Sequence, residues 1–340
     1  MSELKGGLIG CGYFAHNHLN AWKEIQGAQI VAVCDLDKKR VEAYAQEFGV
    51  KSAYTDVEEM FHAESLDFVD VVTQHPTHRP LVEAAANHKL DVICQKPMAS
   101  TLEDAKGMVD ACQAAGVQLM IHENFRWQTP MRTLKAAAEN LGELSFGRIS
   151  FRTAFNVYAN QPYLAKESRL IIADLGVHLL DLARFFMGEV DSLYCQTVRV
   201  NPIIKGEDVA TIMLKMVNGA TCLVEVSYAP TPLSEDLCPQ TLVYLEGTHG
   251  SATLGPNYAL TVATGSQVTH EIAAPRSFSW SAPPWEVIQD SVFFIEQHWV
   301  DCLRENRIPE TSGSDSLRTF ELVFGAYQSA ETGTPVKVNV

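Results

Sequence analysis

The chain has 340 residues, of which 46% are apolar and 20% charged, so it is long enough for two globular domains with a sizeable core. Its formal net charge of −15 argues against a nucleic-acid-binding surface or an anionic-membrane surface, and we expect neither partner. The sequence shows no signal peptide and no apolar run of about 18 residues or more, and its eight cysteines include no CxxC pair. These features predict a cytoplasmic protein with reduced core thiols.

The first predicted strand leads into the turn Gly10-Cys11-Gly12-Tyr13-Phe14-Ala15, and a helical pattern follows the turn. Gly10 permits a tight turn, Gly12 lets a pyrophosphate approach the backbone, and Ala15 lets the helix pack close to the strand. After a second predicted strand comes Asp35, 20 residues beyond Ala15, where a carboxylate can accept hydrogen bonds from an adenosine ribose. This order predicts a dinucleotide site. The alternative is a phosphate-free βαβ unit in which the glycines serve only packing.

Strands and helices continue to alternate, with short connections, up to about residue 122. The run from Phe68 to Thr73 is almost continuously apolar, as in a sheet that is covered on both faces. The alternation predicts an α/β domain over residues 1–122, a Rossmann fold with a doubly wound parallel sheet. The further predicted strands are 29–34, 53–54, 68–73, 90–94 and 118–121, and the further helices are 38–48, 56–63, 79–88 and 101–115.

The pattern changes after residue 122, and Val217-Asn218-Gly219 is typical of a hairpin turn. We predict a second, α+β domain over residues 123–340, with an open, mostly antiparallel sheet. Its predicted helices are 129–141, 174–187, 285–303 and 314–329, and its predicted strands are 148–158, 190–201, 207–217, 220–229, 240–247, 251–254 and 258–263.

In an open parallel sheet the ligand lies beyond the carboxyl ends of the strands, so the residues there are candidates for binding the cofactor. Asp35 favours NAD over NADP, because a 2′-phosphate beside a carboxylate costs roughly 4 kcal/mol per charge pair at about 4 Å. The cations Lys38, Lys39 and Arg40 could offset that cost, or they could form a solvated helix face. The predicted cofactor-binding residues are Gly10, Gly12, Tyr13, Phe14, Asp35, Leu36, Thr73, Gln74, His75, His78, Gln95, Lys96 and Asn124.

Gln95-Lys96-Pro97 follows the fifth predicted strand. A lysine at the tip of this strand, with proline after it, would lie near the nicotinamide end of a cofactor bound along the sheet. Its ammonium group can hydrogen-bond a substrate oxygen and stabilise a developing alkoxide. The alternative is a solvent-exposed lysine that precedes a helix.

Asp174 and His178 lie four residues apart at the start of a predicted helix, so they face the same way. A histidine can take a hydroxyl proton near neutral pH, and a carboxylate beside it can orient the substrate or raise the basicity of the histidine. The spacing alone leaves two other interpretations open. Asp174 could be only a helix cap, and His178 could be a core histidine with satisfied hydrogen bonds.

The turn at residues 10–15, Gln95-Lys96-Pro97 and the motif Gly176-Val177-His178-Leu179-Leu180-Asp181 occur in an order and at a spacing that resemble the glucose–fructose oxidoreductase/inositol dehydrogenase (Gfo/Idh/MocA) family. The resemblance covers essentially the whole chain. It implies a nicotinamide-dependent sugar or polyol oxidoreductase with an N-terminal Rossmann domain, in which Lys96, Asp174 and His178 form the catalytic group. It also implies a homodimer or homotetramer formed through the C-terminal sheet.

Two positions depart from the pattern of the family. Gln95 stands where the family usually has glutamate, so a possible ion-pair partner of Lys96 is missing. Pro80 stands where many members have histidine. The first departure leaves open how Lys96 is held.

The segments 122–128 (HENFRWQ) and 156–164 (NVYANQPYL) look like a subgroup that includes D-apiose dehydrogenases, which oxidise the anomeric carbon of a branched pentose to a lactone. The first segment follows the sixth predicted strand, so Asn124 and Arg126 can reach cofactor or substrate. The second supplies hydroxyl and amide groups suited to a polyhydroxylated ligand. The alternative is an inter-domain connection and an ordered loop. The predicted substrate-binding residues are Lys96, Arg126, Tyr158, Tyr163, Asp174 and His178.

We therefore expect an NAD-dependent dehydrogenase of a small aldose, with D-apiose as the first choice of substrate. Alternatives are an inositol, another polyol or an aldohexose as substrate, NAD-dependent glycoside cleavage, and a non-catalytic NAD-binding sensor. We predict no metal cofactor, because the histidines at positions 16, 18, 75, 78 and 122 lack the HExxH or cysteine-rich spacing of metal ligands.

Overall fold

The structure, a computed structural model, describes residues 3–338. The chain divides into two compact units, Met1–Asn124 with Ser291–Leu317, and Phe125–Asp290 with Arg318–Val340. Sequence alone predicts a single second domain over residues 123–340, whereas this division assigns Ser291–Leu317 to the first unit. None of the helices described here is both long enough and apolar enough to cross a membrane.

The first unit is built on a six-stranded parallel sheet with the strand order β3-β2-β1-β4-β5-β6. Its strands are β1 (Leu4–Ile9), β2 (Ala28–Cys34), β3 (Ser52–Tyr54), β4 (Phe68–Val71), β5 (Asp91–Gln95) and β6 (Leu119–His122). Its helices include α1 (Ala15–Trp22), α2 (Lys38–Phe48), α3 (Val57–Ala63), α4 (His78–Asn87) and α5 (Leu102–Ala115). The order reverses between β1 and β4, so the predicted doubly wound Rossmann sheet is confirmed, with its ligand crevice at that point.

Helix boundaries in this unit follow local capping chemistry. The carboxylate of Asp37 accepts hydrogen bonds from the first backbone N–H groups of α2, and Gly49 ends the helix with a left-handed φ of 70°. The hydroxyl of Thr101 accepts from the N–H of Asp104 at the start of α5, and Gly116 ends that helix with a φ of 72°. The predicted ends of both helices are confirmed because these caps depend only on neighbouring residues.

The second unit is built on a nine-stranded sheet with the order β14-β13-β12-β11-β7-β10-β9-β8-β15, in which β7 and β10 are parallel and the other neighbouring pairs are antiparallel. The mostly antiparallel sheet is therefore confirmed. Its strands are β7 (Leu144–Arg152), β8 (Val190–Val198), β9 (Val209–Met216), β10 (Thr221–Ser227), β11 (Leu242–Gly247), β12 (Gly250–Leu254), β13 (Ala259–Thr264), β14 (Gln267–Ile272) and β15 (Val336–Lys337). The remaining helices are α6 (Thr129–Ala138), α7 (Val157–Asn160), α8 (Val177–Met187), α9 (Glu286–Glu305) and α10 (Gly313–Thr332).

Helices α9 and α10 are each divided between the two units, because Ser291–Leu317 belongs to the first. The core of the second unit lies between its helices and the buried face of the sheet, and the helix α8 is buried at ten of its eleven positions. Strand β9 alternates between buried and exposed residues, which is the pattern of a sheet with one covered face.

The predicted strand over residues 148–158 is wrong in its second half. Strand β7 ends at Arg152, and Thr153 makes the last backbone bond to β10, through Ser227. The chain then leaves the sheet, because the hydroxyl of Thr153 and the backbone N–H of Ala154 donate to the carboxylate of Asp236. The short helix α7 follows. Strand β14 was not predicted, since all six of its residues are exposed and show no apolar alternation.

Candidate active site

The turn after β1 contains two glycines, and the structural reason for glycine differs between the two positions. Gly10 has a φ of +100°, and a Cβ atom there would lie 2.7 Å from the carbonyl oxygen of Val72, so the fold itself requires glycine. A Cβ atom at Gly12 would meet nothing within 4 Å. Packing within the protein therefore does not explain Gly12, and the open space in front of its backbone suits the close approach of a phosphate group.

Asp35, at the end of β2, is bonded directly to this turn. One carboxylate oxygen accepts a hydrogen bond from the backbone N–H of Cys11 at 2.7 Å, and the other accepts from the N–H of Asp37 at 2.9 Å. The guanidinium of Arg40 lies 3.6 Å from the same carboxylate. The two backbone bonds fix the position of the carboxylate beside the turn, where a ribose would lie.

Two large side chains at this edge of the sheet are exposed. Leu36 is 93% exposed and Tyr13 is 63% exposed. Phe14, in contrast, is half-buried and packs its ring edge-on against His18 with 5.5 Å between ring centroids. Exposed apolar groups that flank a binding turn are typical of a surface that a ligand covers.

The residues after β4 have separate roles. The ring of His78 is buried, with its two nitrogens 3.0 Å from the carbonyl oxygen of Thr73 and 3.1 Å from that of Met98. Burial lowers the pKa of His78, so the ring is neutral near pH 7 and its single N–H donates to one of these two carbonyl oxygens. His75 contacts the hydroxyl of Ser100 at 2.9 Å, and Gln74 is exposed. Thr73, Gln74 and His75 therefore follow the carboxyl end of β4, and His78 is buried.

Lys96 follows β5 and is half-buried, and its backbone N–H donates to the side-chain oxygen of Gln95 at 3.0 Å. The side-chain amide of Gln95 is itself buried against the rings of His18 and His122. Asn124, after β6, is buried and donates to the hydroxyl of Ser291 at 2.6 Å. These contacts place the predicted residues of β5 and β6 at the same carboxyl edge of the sheet.

In the second unit, Asp174 lies in a π-helical turn, Ile172–Gly176, that leads directly into α8. Such turns are rare and frequently occur at functional sites. A carboxylate oxygen of Asp174 accepts a hydrogen bond from the hydroxyl of Tyr228 at 3.1 Å. His178, in the first turn of α8, stacks on Phe125 with 3.9 Å between centroids and 4° between ring planes. The stacking fixes the plane of the imidazole.

Three tyrosines surround Asp174. Burial, with a contribution from the charge of Asp174, raises the pKa of Tyr158 and of Tyr163 to about 12, and burial raises the pKa of Tyr228 well above its ordinary value. Their hydroxyls therefore stay protonated and can donate hydrogen bonds at neutral pH. The sequence predicted Tyr158 and Tyr163 but missed Tyr228, because this residue follows β10 and no local motif marks it.

Arg126, predicted to bind substrate, lies in a buried ion pair. Its guanidinium donates two hydrogen bonds to the carboxylate of Asp181, at 2.5 Å and 2.7 Å. The hydroxyl of Thr319 donates to the same carboxylate at 2.9 Å. This geometry joins 3₁₀ helix Asn124–Trp127 to α8 and gives Arg126 a structural partner.

Two groups of side chains bring three metal-ligand atoms within 4.8 Å of one another. The first, His18, His122 and Glu296, is buried in the first unit, and the amide of Gln95 contacts both of its imidazoles. The second, Glu58, His62 and His88, lies on the surface. Neither group includes a residue predicted to be catalytic.

Comparisons with known proteins agree with this geometry. Residues 4–123 match the model of the oxidoreductase family with an NAD-binding Rossmann fold, and residues 131–253 match the GFO/IDH/MocA C-terminal domain. The chain belongs to the Gfo/Idh/MocA family. The family confirms the predicted enzyme class, an oxidoreductase, and the predicted cofactor, NAD.

Two curated relatives cover almost the whole chain. A D-apiose dehydrogenase of Rhizobium rhizogenes is 50% identical over 99% of this chain and 98% of its own length. A D-apiose dehydrogenase of Paraburkholderia graminis is 48% identical over 99% of this chain and 90% of its own length. A crystal structure of an oxidoreductase from Agrobacterium radiobacter in complex with NAD+, L-tartaric acid and magnesium is 50% identical, covers 99% of this chain and 98% of its own, and has a TM-score of 0.97.

Proposed function

We propose that the protein is an NAD-dependent dehydrogenase that oxidises D-apiose at its anomeric hydroxyl to a lactone. The observation that carries this proposal is the end-to-end identity of about half with two D-apiose dehydrogenases, over both domains of the family. The segments 122–128 and 156–164 carry the resemblance to that subgroup. Phe125 of the first stacks on His178, and Tyr158 and Tyr163 of the second lie close enough to Asp174 for its charge to act on them.

The residues of the first unit fit a dinucleotide. We propose that the pyrophosphate lies on the backbone at Gly12, where no protein atom would oppose it, and that the ribose bonds to Asp35. Leu36 and Tyr13 supply exposed apolar surface to the adenosine end. When bound, NAD supplies an acceptor for the hydride that leaves the sugar carbon.

We propose Lys96, Asp174 and His178 as the catalytic group. Lys96 hydrogen-bonds the reacting hydroxyl oxygen and stabilises negative charge there. His178 takes the hydroxyl proton, and its stacking on Phe125 holds the ring plane for that transfer. Asp174 bonds a neighbouring hydroxyl, because its carboxylate is held by Tyr228 and is half-buried.

Tyr158 adds a hydroxyl donor near Asp174 for another hydroxyl of the sugar. The hydroxyl of Tyr163 donates to the side-chain oxygen of Gln161 at 2.7 Å, so it can accept a hydrogen bond from the sugar. A site with one carboxylate and several protonated tyrosines suits a small neutral polyol, because each sugar hydroxyl then finds either an acceptor or a donor.

We also propose that the protein acts as a homodimer or homotetramer in the cytoplasm. The face of the sheet opposite the core exposes Met213 and half-buries Leu223 beside the ion pair of Arg148 and Glu225, which is a mixed surface suited to a second copy. All eight cysteines are free thiols and seven of them are buried, which supports a reducing compartment.

The decisive experiment measures the rate of NADH formation by its absorbance. The purified protein is assayed with NAD and a panel of free aldoses and polyols that includes D-apiose, D-xylose, D-glucose and myo-inositol. We expect D-apiose with NAD to give the highest kcat/KM, and NADP to give much lower rates. A higher kcat/KM on another sugar would show that D-apiose is not the preferred substrate, and the proposed reaction class would stand. No turnover on any member, with NAD still bound, would favour a sensor.

A further inference from the structure

The first unit contains a cluster of buried polar side chains that the proposed reaction does not use. His18, on α1, is fully buried, and its Nδ1 atom lies 2.8 Å from a carboxylate oxygen of Asp70 and 3.0 Å from one of Glu296. The indole N–H of Trp22 donates to the same oxygen of Asp70 at 2.8 Å. Burying two carboxyl groups and an imidazole costs desolvation free energy, so a functional role of the cluster would explain why it is present.

Gln95 connects this cluster to Lys96. Its side-chain nitrogen lies 2.8 Å from Nε2 of His18 and 3.1 Å from Nδ1 of His122, and its side-chain oxygen accepts the backbone N–H of Lys96 at 3.0 Å. Groups on α1, β4, β5, β6 and α9 therefore meet behind the tip of β5. A rotation of the Gln95 side chain would break its contacts with both imidazoles and with the backbone of Lys96.

We propose that Gln95, held by His18 and His122, is a positioning residue that fixes the backbone at Lys96 and so aims the lysine side chain at the reacting oxygen. This inference rests on the proposed role of Lys96. The amide is uncharged, so it holds this backbone without adding a negative charge beside the lysine.

The contact with His18 sets a condition on that ring. The side-chain nitrogen of Gln95 can donate to Nε2 only when Nε2 carries no proton, so the ring proton lies on Nδ1, which faces Asp70 and Glu296.

The test compares Gln95→Met, which keeps the size but loses both polar atoms, with Gln95→Glu, which keeps an acceptor for Lys96. We expect Gln95→Met to lower kcat on D-apiose by roughly 10- to 100-fold, because misplacing a reacting group by about 1 Å costs up to about 10². KM and NAD affinity should change little. Gln95→Glu should keep kcat within a few-fold of the wild type.

The control is Gln240→Met. Gln240 is a buried glutamine of the second unit that bonds two backbone groups, at Gly255 and Asn257. The substitution Gln240→Met should lower the melting temperature of the protein without lowering kcat. Equal losses of kcat in Gln95→Met and Gln240→Met would show that Gln95 matters only for folding and would overturn the proposal.

One measurement does not depend on turnover. Hydrogen exchange at the Lys96 amide should be slow in the wild type and in Gln95→Glu but faster in Gln95→Met. Unchanged exchange in Gln95→Met would contradict the inference.

Lys96→Met separates the two proposals. If Lys96→Met keeps full turnover, the catalytic role of Lys96 fails. If Lys96→Met is inactive and Gln95→Met retains wild-type kcat, only the positioning role fails.

Discussion

The glycine turn of the first unit and the π-helical turn of the second are both segments that lead into a helix, yet they prepare for ligands in different ways. The glycine turn at residues 10–15 offers backbone and empty space, and a Cβ atom at its key position, Gly12, would meet nothing within 4 Å. The π-helical turn Ile172–Gly176 offers side chains, and its carboxylate, Asp174, is held by Tyr228 from a strand far along the chain.

This difference shows how each kind of site can be recognised. Backbone chemistry at a helix start depends on residue types at short spacing, so a motif reveals it. A side-chain site depends on partners brought together by the tertiary fold, so a motif marks candidate reacting groups but not the residues that hold them. Substitutions in each turn show whether the two turns differ in function as they differ in construction.

The largest effect is expected for His178→Ala, next to the π-helical turn. Loss of the proton acceptor should lower kcat by roughly 10²- to 10⁴-fold, and NAD affinity should stay nearly unchanged because the cofactor binds the other unit. Steady-state kinetics and NAD titration measure both. His88→Ala, a surface histidine, is the control. A parallel loss of NAD binding in His178→Ala would mean that the histidine is structural.

Arg126→Ala should come next, with a loss of about 3–5 kcal/mol in the free energy of unfolding, because it leaves the carboxylate of Asp181 buried without its cation. Denaturant unfolding measures this loss. The matched control is Arg307→Ala, which breaks an exposed ion pair with Glu305 and should cost about 0–1 kcal/mol. If Arg126→Ala instead raises KM for the sugar and leaves stability intact, the predicted role of Arg126 in substrate binding is the right one.

Substitutions of the two glycines in the turn at residues 10–15 should affect different properties, stability for Gly10 and NAD affinity for Gly12. Gly10→Ala should destabilise the protein by about 1–3 kcal/mol, because a φ of +100° and the contact with Val72 both oppose a side chain. Gly12→Ala should leave stability unchanged and weaken NAD binding by about tenfold, because its methyl group would occupy the space for the pyrophosphate. Thermal unfolding and NAD titration of both variants measure this. Unchanged NAD affinity in Gly12→Ala would place the cofactor elsewhere.

An effect of similar size is expected for Tyr228→Phe, which removes the hydrogen bond to Asp174. A hydrogen bond to a charged group contributes about 1.5–3 kcal/mol, so kcat/KM for the sugar should fall about tenfold or more, without a change in NAD affinity. Tyr244→Phe removes a similar bond to Glu246 on the surface and should have no kinetic effect. Equal kinetics in the two variants would remove Tyr228 from the site.

Much of the first unit could be predicted because each of its elements carries its own local signals. The ends of α2 and α5 follow from caps within three residues of each helix end, and β4 from a continuous apolar run. The strand predicted through residues 153–158 was wrong because Asp236, more than eighty residues away, draws the chain out of the sheet. Local alternation carries no information about such a partner.

The sequence by itself determined the Rossmann sheet, the glycine turn with Asp35, and the family. The resemblance to that family also marked Lys96, Asp174 and His178 as candidate catalytic residues. All of these depend on residue types at short or fixed spacing. Only the tertiary structure decided that Arg126 pairs with Asp181, that Tyr228 holds Asp174, and that Gln95 ties Lys96 to a buried histidine cluster. The reason is physical. Hydrogen bonds and ion pairs between distant segments form only after the apolar core has brought those segments together, and no spacing along the chain records them.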